Sequence, residues 1–277
     1  MDTETNNNDL LQVYNVNEDE NLLLQVDKVI CIFFQRGFLA AGFSAGNELL
    51  TIRYNGYDIN YPVYSINFYE QVIEIEPLLN DKEKVKGVFF LGEKNMIVPN
   101  DLFQETYSKN WLKQIHFIEQ NEVIDFYPLD QDKAYYLQAM PLEIKELVNS
   151  NFINAKILPL AYYQFRKPPK VGLALQCCVT NDQVAATMHI DGQLMWHSVY
   201  YYTVAEDIVF EGKLLCKENG FSATKLTILF NSFTALQFNL INDLTQYYPG
   251  LKSGEGNRIL TSWDTSISLL QQLLVCV

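Results

Sequence analysis

Residues 29–54 read VICIFFQRGFLAAGFSAGNELLTIRY, and further along residues 170–199 read KVGLALQCCVTNDQVAATMHIDGQLMWHSV. Each stretch is three apolar runs separated by turn residues. In the first, residues 29–34 are apolar without a break, as a strand covered on both faces requires. Gln35-Arg36-Gly37 turns the chain, residues 38–43 return, and Ala45-Gly46-Asn47 turns it again. Residues 49–54 then form a third strand, closed by Asn55-Gly56. The pattern predicts a three-stranded antiparallel meander with tight turns. In the second stretch residues 170–175 open the first strand and Thr180-Asn181-Asp182 turns it. Residues 184–190 return, Asp191-Gly192 turns again, and residues 193–199 are the third strand. The repetition is one of pattern more than identity; AGNELL against DGQLMW is its best local match.

Working outward, each meander leads into an amphipathic helix and then a buried strand. In the first half the helix is expected over residues 66–79 and the strand over 85–91. In the second half Thr203-Val204-Ala205-Glu206 has the form of a capping box, with hydroxyl and carboxylate placed to satisfy free N–H groups. The helix it opens is expected to end at Gly220, before a strand over residues 226–230 and a further helix capped by Ser232. The first half carries additional material: a short strand at 96–99 running into a helix begun at Asn100, a hairpin of 122–127 with 134–138, a helix begun at Pro141, and a strand over 155–165. Arg166-Lys167-Pro168-Pro169 is the best boundary between the halves, because proline removes donors and stiffens the link. The expected organisation is an acidic N-terminal arm over 1–25, a first lobe over 26–167 with an insertion near 95–140, and a second lobe over 168–277. Residues 1–22 lack periodicity and read as a mobile tail or loosely docked arm.

Composition narrows the function. The 277 residues are 48% hydrophobic, ordinary for a globular chain. Thirty-three acidic against 20 basic residues give a net charge of −13. A protein that grips phosphate backbones needs a basic face, so nucleic acid is not the expected partner. The first 25 residues have neither a basic leader nor an unbroken apolar core, and no apolar run is long enough for a membrane helix. Five cysteines, an odd number at irregular spacing, do not make a disulfide framework. A reduced cytoplasmic protein without membrane insertion is expected.

A meander, helix, strand and helix occurring twice, with an insertion in the first copy, resembles the actin-like ATPase superfamily, whose two lobes each have a ribonuclease H-like core. More narrowly the chain resembles an uncharacterised Bacteroidetes family with that two-lobed fold. The likeness runs from about Val26 to Val277 and rests on the repeated meander, on NMIVPNDLFQETY at 95–107, and on the Pro141 helix followed by NAKILPLAYY at 154–163. The resemblance implies an α/β fold of two ribonuclease H-like lobes in an actin-like arrangement. It also implies where nucleotide chemistry would sit. Members hold phosphates on an Asp-x-Gly-x-x-Thr-like turn after the first strand of each lobe, where backbone N–H groups cradle phosphate and a carboxylate holds Mg²⁺. Here those turns read Phe33-Phe34-Gln35-Arg36-Gly37 and Gln176-Cys177-Cys178-Val179-Thr180-Asn181, without the Asp-x-Gly core. The paired glycines that admit adenosine after the late strand are replaced by Leu229-Phe230-Asn231-Ser232-Phe233. The expected function is therefore non-catalytic binding or scaffolding with no cofactor, the partner a protein or peptide held in the inter-lobe cleft or at an edge of the first lobe. The alternative is a divergent ATPase or kinase taking ATP and Mg²⁺ through Arg36, Thr180, Asn181, Asn231 and Ser232, which the resemblance places at the cleft.

Other chemistries find less support. His189 and His197 fall on neighbouring strands, but no third ligand has zinc spacing. Cys177 and Cys178 are adjacent on a strand, so they point to opposite faces and cannot chelate together. A two-metal nuclease needs a mid-strand Asp that VICIFF and VGLALQCC lack, and Asp27 and Asp182 sit where Asp serves local turns. No G-x-S-x-G elbow occurs, and Lys252-Ser253-Gly254-Glu255-Gly256 reads as a surface loop. Seventeen tyrosines, clustered at 135–136, 162–163, 200–202 and 247–248, suit either a tyrosine-rich core or a protein-binding surface.

Overall fold

The computed structural model describes residues 12–16, 20–57, 62–129, 133–166, 168, 172–180, 182–222, 226–232, 252–253 and 262–277. The chain opens with strand β1 (Gln12–Val16) and a short helix α1 (Glu20–Leu24), so part of the expected arm is ordered on a sheet edge. The first meander follows as β2 (Lys28–Phe34), β3 (Gly37–Phe43) and β4 (Leu49–Gly56). Its register sets Phe33 opposite Phe38 and Ile32 opposite Leu39. Helix α2 (Ile66–Ile75) stops earlier than expected, because Pro77 disfavours helical backbone at Glu76. The Glu76 carboxylate instead accepts from the Leu78 N–H at 3.3 Å, capping a 3₁₀ turn over Pro77–Leu79. Strand β5 (Val85–Phe90) then pairs parallel to β2.

The additional material forms β6 (Asn95–Pro99), α3 (Ser108–Leu112), β7 (Glu122–Leu129) and β8 (Ala134–Pro141). The helix expected from Asn100 is broken into 3₁₀ turns before α3. Asn100 N–H is taken by the Lys133 carbonyl, and Phe103 is stacked on Tyr135 at 3.9 Å, which folds the chain back on its sheet. Pro141 caps α4 (Leu142–Asn151), and β9 (Lys156–Pro159) joins β5 in parallel. The strand expected over 155–165 ends at Pro159; Tyr162–Arg166 is the short helix α5. The second meander is β10 (Leu173–Val179), β11 (Gln183–Ile190) and β12 (Gln193–Tyr201). After it come α6 (Ala205–Glu218), β13 (Thr227–Ser232), β14 (Lys252–Ser253) and α7 (Ser262–Cys276). Asp207, rather than Thr203 with Glu206, caps α6: its carboxylate accepts from the Thr203 and Val204 N–H groups at 2.8 and 3.0 Å. These two bonds hold the Asp207 pKa below the usual carboxylate value. The further helix expected at Ser232 falls on 233–251, outside the described residues.

The described residues form three sheets, ordered β1-β4-β3-β2-β5-β9, β12-β11-β10-β13-β14 and β6-β8-β7. In the first, alternate residues of β2 face opposite cores. Val29, Cys31 and Phe33 pack with α2 and α4, whereas Ile30, Ile32 and Phe34 pack with Leu269, Leu270 and Leu273 of α7. Coverage on both faces is why VICIFF carries no polar residue. In the second sheet Leu175, Cys177 and Val179 pack against Ile208 and Cys216 of α6, whereas Cys178, Ala185 and Val199 join the α7 core. All five cysteines are buried and free. No described helix is long and apolar enough to cross a membrane.

Gly42 of β3 is hemmed in by three side chains. A Cβ there would lie 2.8 Å from Val26 Cγ2, 3.0 Å from Leu78 Cδ2 and 3.1 Å from Thr51 Cγ2. Gly42→Ala is expected to cost about 1–2 kcal/mol in urea unfolding, as overpacking does. Gly46→Ala, whose Cβ meets nothing nearer than Ser44 Oγ at 3.6 Å, is expected to stay within about 0.5 kcal/mol of the parent.

Candidate functional site

The turn between β2 and β3 and the turn between β10 and β11 face each other and are joined. Arg36 Nη1 lies 3.2 Å from Asp182 Oδ2, with the two side chains 18% and 31% exposed. Beside this pair the Tyr201 hydroxyl donates to Gln35 Oε1, and Gln35 is buried. Arg36 is thus an ion-paired bridge rather than a solvated turn residue, and Asp182 does more than shape its own turn. Burial raises the Asp182 pKa, against the lowering effect of Arg36, and Glu93 adds to the rise. Burial likewise pushes the Tyr201 phenol up to about 12, with Glu93 beside it.

The backbone of both turns is committed to the fold. Thr180 N–H donates to the Gln183 carbonyl at 2.8 Å, and Gln183 N–H donates to Thr180 Oγ1 at 3.1 Å. Tyr202 donates its hydroxyl to the Thr180 carbonyl at 2.7 Å. The Gln35 carbonyl accepts from Tyr64 N–H at 2.8 Å and from the Tyr57 hydroxyl at 2.6 Å. Gly37 is explained by packing: a Cβ there would come within 2.6 Å of Tyr54 Oη, and one on Gly56 within 2.9 Å of the same ring. The glycine admits an aromatic ring where a phosphate-binding turn uses one to admit phosphate.

Of the sequence-predicted candidates, Arg36, Thr180, Asn231 and Ser232 come together at one end of the two sheets; Asn181 lies outside the described residues. Parallel pairing of β10 with β13 sets Cys178 beside Asn231 and Val179 beside Ser232. Asn231 is buried and donates from Nδ2 to the Tyr163 hydroxyl at 3.4 Å. Sequence reasoning missed Gln35, Asp182, Glu93 and Tyr201. The tyrosine triplet at 200–202 was the visible signal, since two of its members now close this junction.

Behind the junction, α5 lies over the second sheet. Gln164 Nε2 donates to the carbonyls of Gln176 and Ala185, both at 3.2 Å. Its Oε1 therefore accepts the Thr187 hydroxyl at 2.9 Å. With that proton spent, the Thr187 oxygen accepts from His197 Nδ1 at 2.8 Å, so the imidazole proton sits on Nδ1 and Nε2 is a bare acceptor. Nε2 is shut off from solvent and has no hydrogen-bond partner among the described residues. Neither ring nitrogen of His189, which is 1% exposed, has one either. Burial lowers His189 to about 4; burial, then the neighbouring His189, lowers His197 to about 3. Among the described residues no three His, Cys, Asp or Glu side chains are grouped to hold a metal.

Two sheets with a meander followed by parallel strands, opposed at the turns of their first hairpins around shared helices, are ribonuclease H-like lobes in an actin-like ATPase arrangement. A crystal structure of a protein with actin-like ATPase fold and unknown function from Bacteroides thetaiotaomicron superposes with a TM-score of 0.71, over 92% of this chain and 98% of that one, at 13% identity. The PilM-PilN type IV pilus biogenesis complex superposes with a TM-score of 0.57, over 91% and 98%, at 11% identity. The chain belongs to the family DUF3822, described as proteins of unknown function, whose profile matches residues 2–249. A comparison with curated proteins finds no match.

Proposed function

We propose that this protein is a non-catalytic member of the actin-like superfamily that binds another protein. The observation carrying the reading is the Arg36–Asp182 ion pair, which joins the two turns that the superfamily resemblance would set apart on a triphosphate. A γ-phosphate placed there would have to displace Arg36, break the Tyr201–Gln35 hydrogen bond and sit beside the carboxylates of Asp182 and Glu93. Like charge at that range opposes it. In the second turn the Thr180 and Gln183 N–H groups are already donated within the fold.

Protein binding is supported by the insertion. Its segment between β6 and β7 exposes Leu102, Tyr107, Ile115 and Phe117, the last at 81%. Leu102 and Tyr107 line one shallow pocket together with Trp111, an apolar surface of the kind that partners cover. The pilus-biogenesis structure named above is itself a complex, of PilM with PilN.

Thermal unfolding with ATP and Mg²⁺ tests the reading. A nucleotide present at 100 times its Kd would add about 2.7 kcal/mol to stability. The expected result at millimolar ATP is an unchanged melting temperature. A reproducible upward shift, or ATP turnover lost when Arg36 is replaced, would overturn the proposal.

A further inference from the structure

The shallow pocket of the insertion has a volume of about 410 Å³ and is lined by Leu102, Gln104, Tyr107, Asn110, Trp111 and Gln114. Tyr107 and Trp111 stand one helical turn apart, as do Asn110 and Gln114, so rings and carboxamides form one stripe along α3 and its flanking turns. Trp111 is held from beneath, packed on the core of Val98, Leu112 and Leu137. Leu102 and Tyr107 are each more than half exposed.

The chemistry of this lining is selective. None of its six residues is charged, although 19% of the chain is. The Tyr107 hydroxyl, the Trp111 Nε1 and the Gln104 carboxamide make no hydrogen bond among the described residues. Free donors therefore surround an apolar floor. The rim is acidic: Asp101 and Glu105, the chain neighbours of Leu102 and Gln104, are exposed and in no ion pair among the described residues.

These features discriminate between the ways a partner segment can dock. Strand addition needs a sheet edge, and this segment is built of 3₁₀ turns and a short helix. A partner helix spends its main-chain groups on itself and would cover the free carboxamides without pairing them. A polyproline II segment has unpaired carbonyls that need donors, and proline has no N–H in search of an acceptor. The pitch also agrees. Tyr107 and Trp111 are separated by about 6 Å along the helix axis, and two polyproline II residues advance about 6.2 Å.

We propose that this pocket takes a proline-rich segment of the partner protein in polyproline II conformation, with a basic residue beside Asp101 and Glu105. The inference rests on the protein-binding reading and gives the partner a chemistry. The rings of Tyr107 and Trp111 meet the proline faces, and the amide, phenol and indole donors meet the carbonyls between them. The acidic rim sets the direction in which the segment lies.

The chain's three tryptophans provide the test. Trp111 lines the pocket, and Trp196, on β12, serves as an internal control. The full chain, labelled with ¹⁵N at the indoles, is titrated with synthetic peptides that join about six prolines, two polyproline II turns, to a lysine at one end or the other. Comparison peptides replace the prolines by glycine or the lysine by glutamate, and a glucose oligosaccharide is a separate probe. One lysine-bearing proline peptide at least is expected to shift the Trp111 indole while Trp196 stays in place. The glycine version, which must be ordered on binding, is expected to bind about tenfold more weakly, and the glutamate version about threefold more weakly. Tyr107→Ala, at an exposed ring, is expected to weaken binding about tenfold with the melting temperature unchanged. A Trp111 indole that ignores both proline peptides, a glycine peptide that binds as tightly, or a Tyr107→Ala variant that binds like the parent would refute the assignment. A Trp111 shift caused by the oligosaccharide and by neither peptide would give the pocket to a sugar instead. A melting temperature indifferent to ATP alongside an unmoved Trp111 removes the pocket assignment alone; a melting temperature raised by ATP removes the reading beneath it.

Discussion

Arg36→Ala is expected to lower unfolding free energy by about 2 kcal/mol, less than the cost of stranding one member of a fully buried ion pair because the two side chains are 18% and 31% exposed. Asp182 is 31% exposed, already has its pKa raised by burial, and has Glu93 close by. Without the guanidinium its carboxylate keeps the desolvation and loses the compensation, so its pKa should climb further; ¹³C detection of the carboxyl reads this directly. Asp182→Asn is expected to cost less, about 1 kcal/mol, because the long Arg36 side chain can swing its charge into water. The double variant Arg36→Ala with Asp182→Asn should be more stable than Arg36→Ala alone. That sign identifies an uncompensated charge, as opposed to lost packing, as the source of the effect. Hydrogen exchange should quicken together at the 35–37 and 180–183 turns, which are far apart in sequence and linked through this pair. Equal costs that simply add would show that the two turns are not coupled.

His189→Leu is expected to leave stability at pH 7.5 unchanged or improved, and to remove part of the protein's sensitivity to acid. The parent buries an imidazole whose ring nitrogens have no partner among the described residues, so an apolar replacement forfeits no bond identified there. Folding lowers both histidines, to about 4 and about 3, from an unfolded value near 6.5. In the window between, the unfolded chain binds protons that the native state refuses. Native stability therefore falls as pH drops from about 6.5 towards 4, and the contribution is fully present above 6.5. At pH 5 each histidine accounts for about 2 kcal/mol of loss. Asp182 and Glu76, whose pKa values burial raises, act in the opposite direction, which makes the difference between parent and variant the informative quantity. Urea unfolding at pH 7.5 and pH 5 should show the variant losing about 2 kcal/mol less than the parent. Equal losses would show that His189 does not titrate in this window.

The two meanders were legible because turn residues and uninterrupted apolar runs are local signals, and β2, β3, β4, β11 and β12 fall within a few residues of where the pattern puts them. The helix α5 was not legible. Residues 155–165 are rich in aromatic and apolar side chains with strand preference, and the helical turn exists because Tyr163, Gln164 and Phe165 are all buried on the second sheet, with Gln164 satisfying two of its carbonyls. The break before α3 has the same origin, a ring stack with a residue on another strand. At the junction of the lobes, sequence revealed the missing glycines and acids of a nucleotide site but not what replaced them. The Arg36–Asp182 pair spans 146 residues, and neither residue has a local feature pointing to the other.

Leu269, Leu270 and Leu273 of α7 share one core with β2, β3 and β4 of the first sheet and with Cys178, Ala185 and Val199 of the second. The Cys276 carbonyl accepts from Lys156 Nζ at 2.8 Å, and a Cβ on Gly87 would meet Val277. During synthesis, then, the N-terminal half leaves the ribosome with one side of its sheet still wet. Residues 28–90 can pair their strands at that stage, but they complete their interior only after some 180 further residues have emerged. A nascent chain stalled ahead of α7 is accordingly a natural client for chaperones, and a frameshift late in the message should compromise the earliest part of the molecule as well as the last.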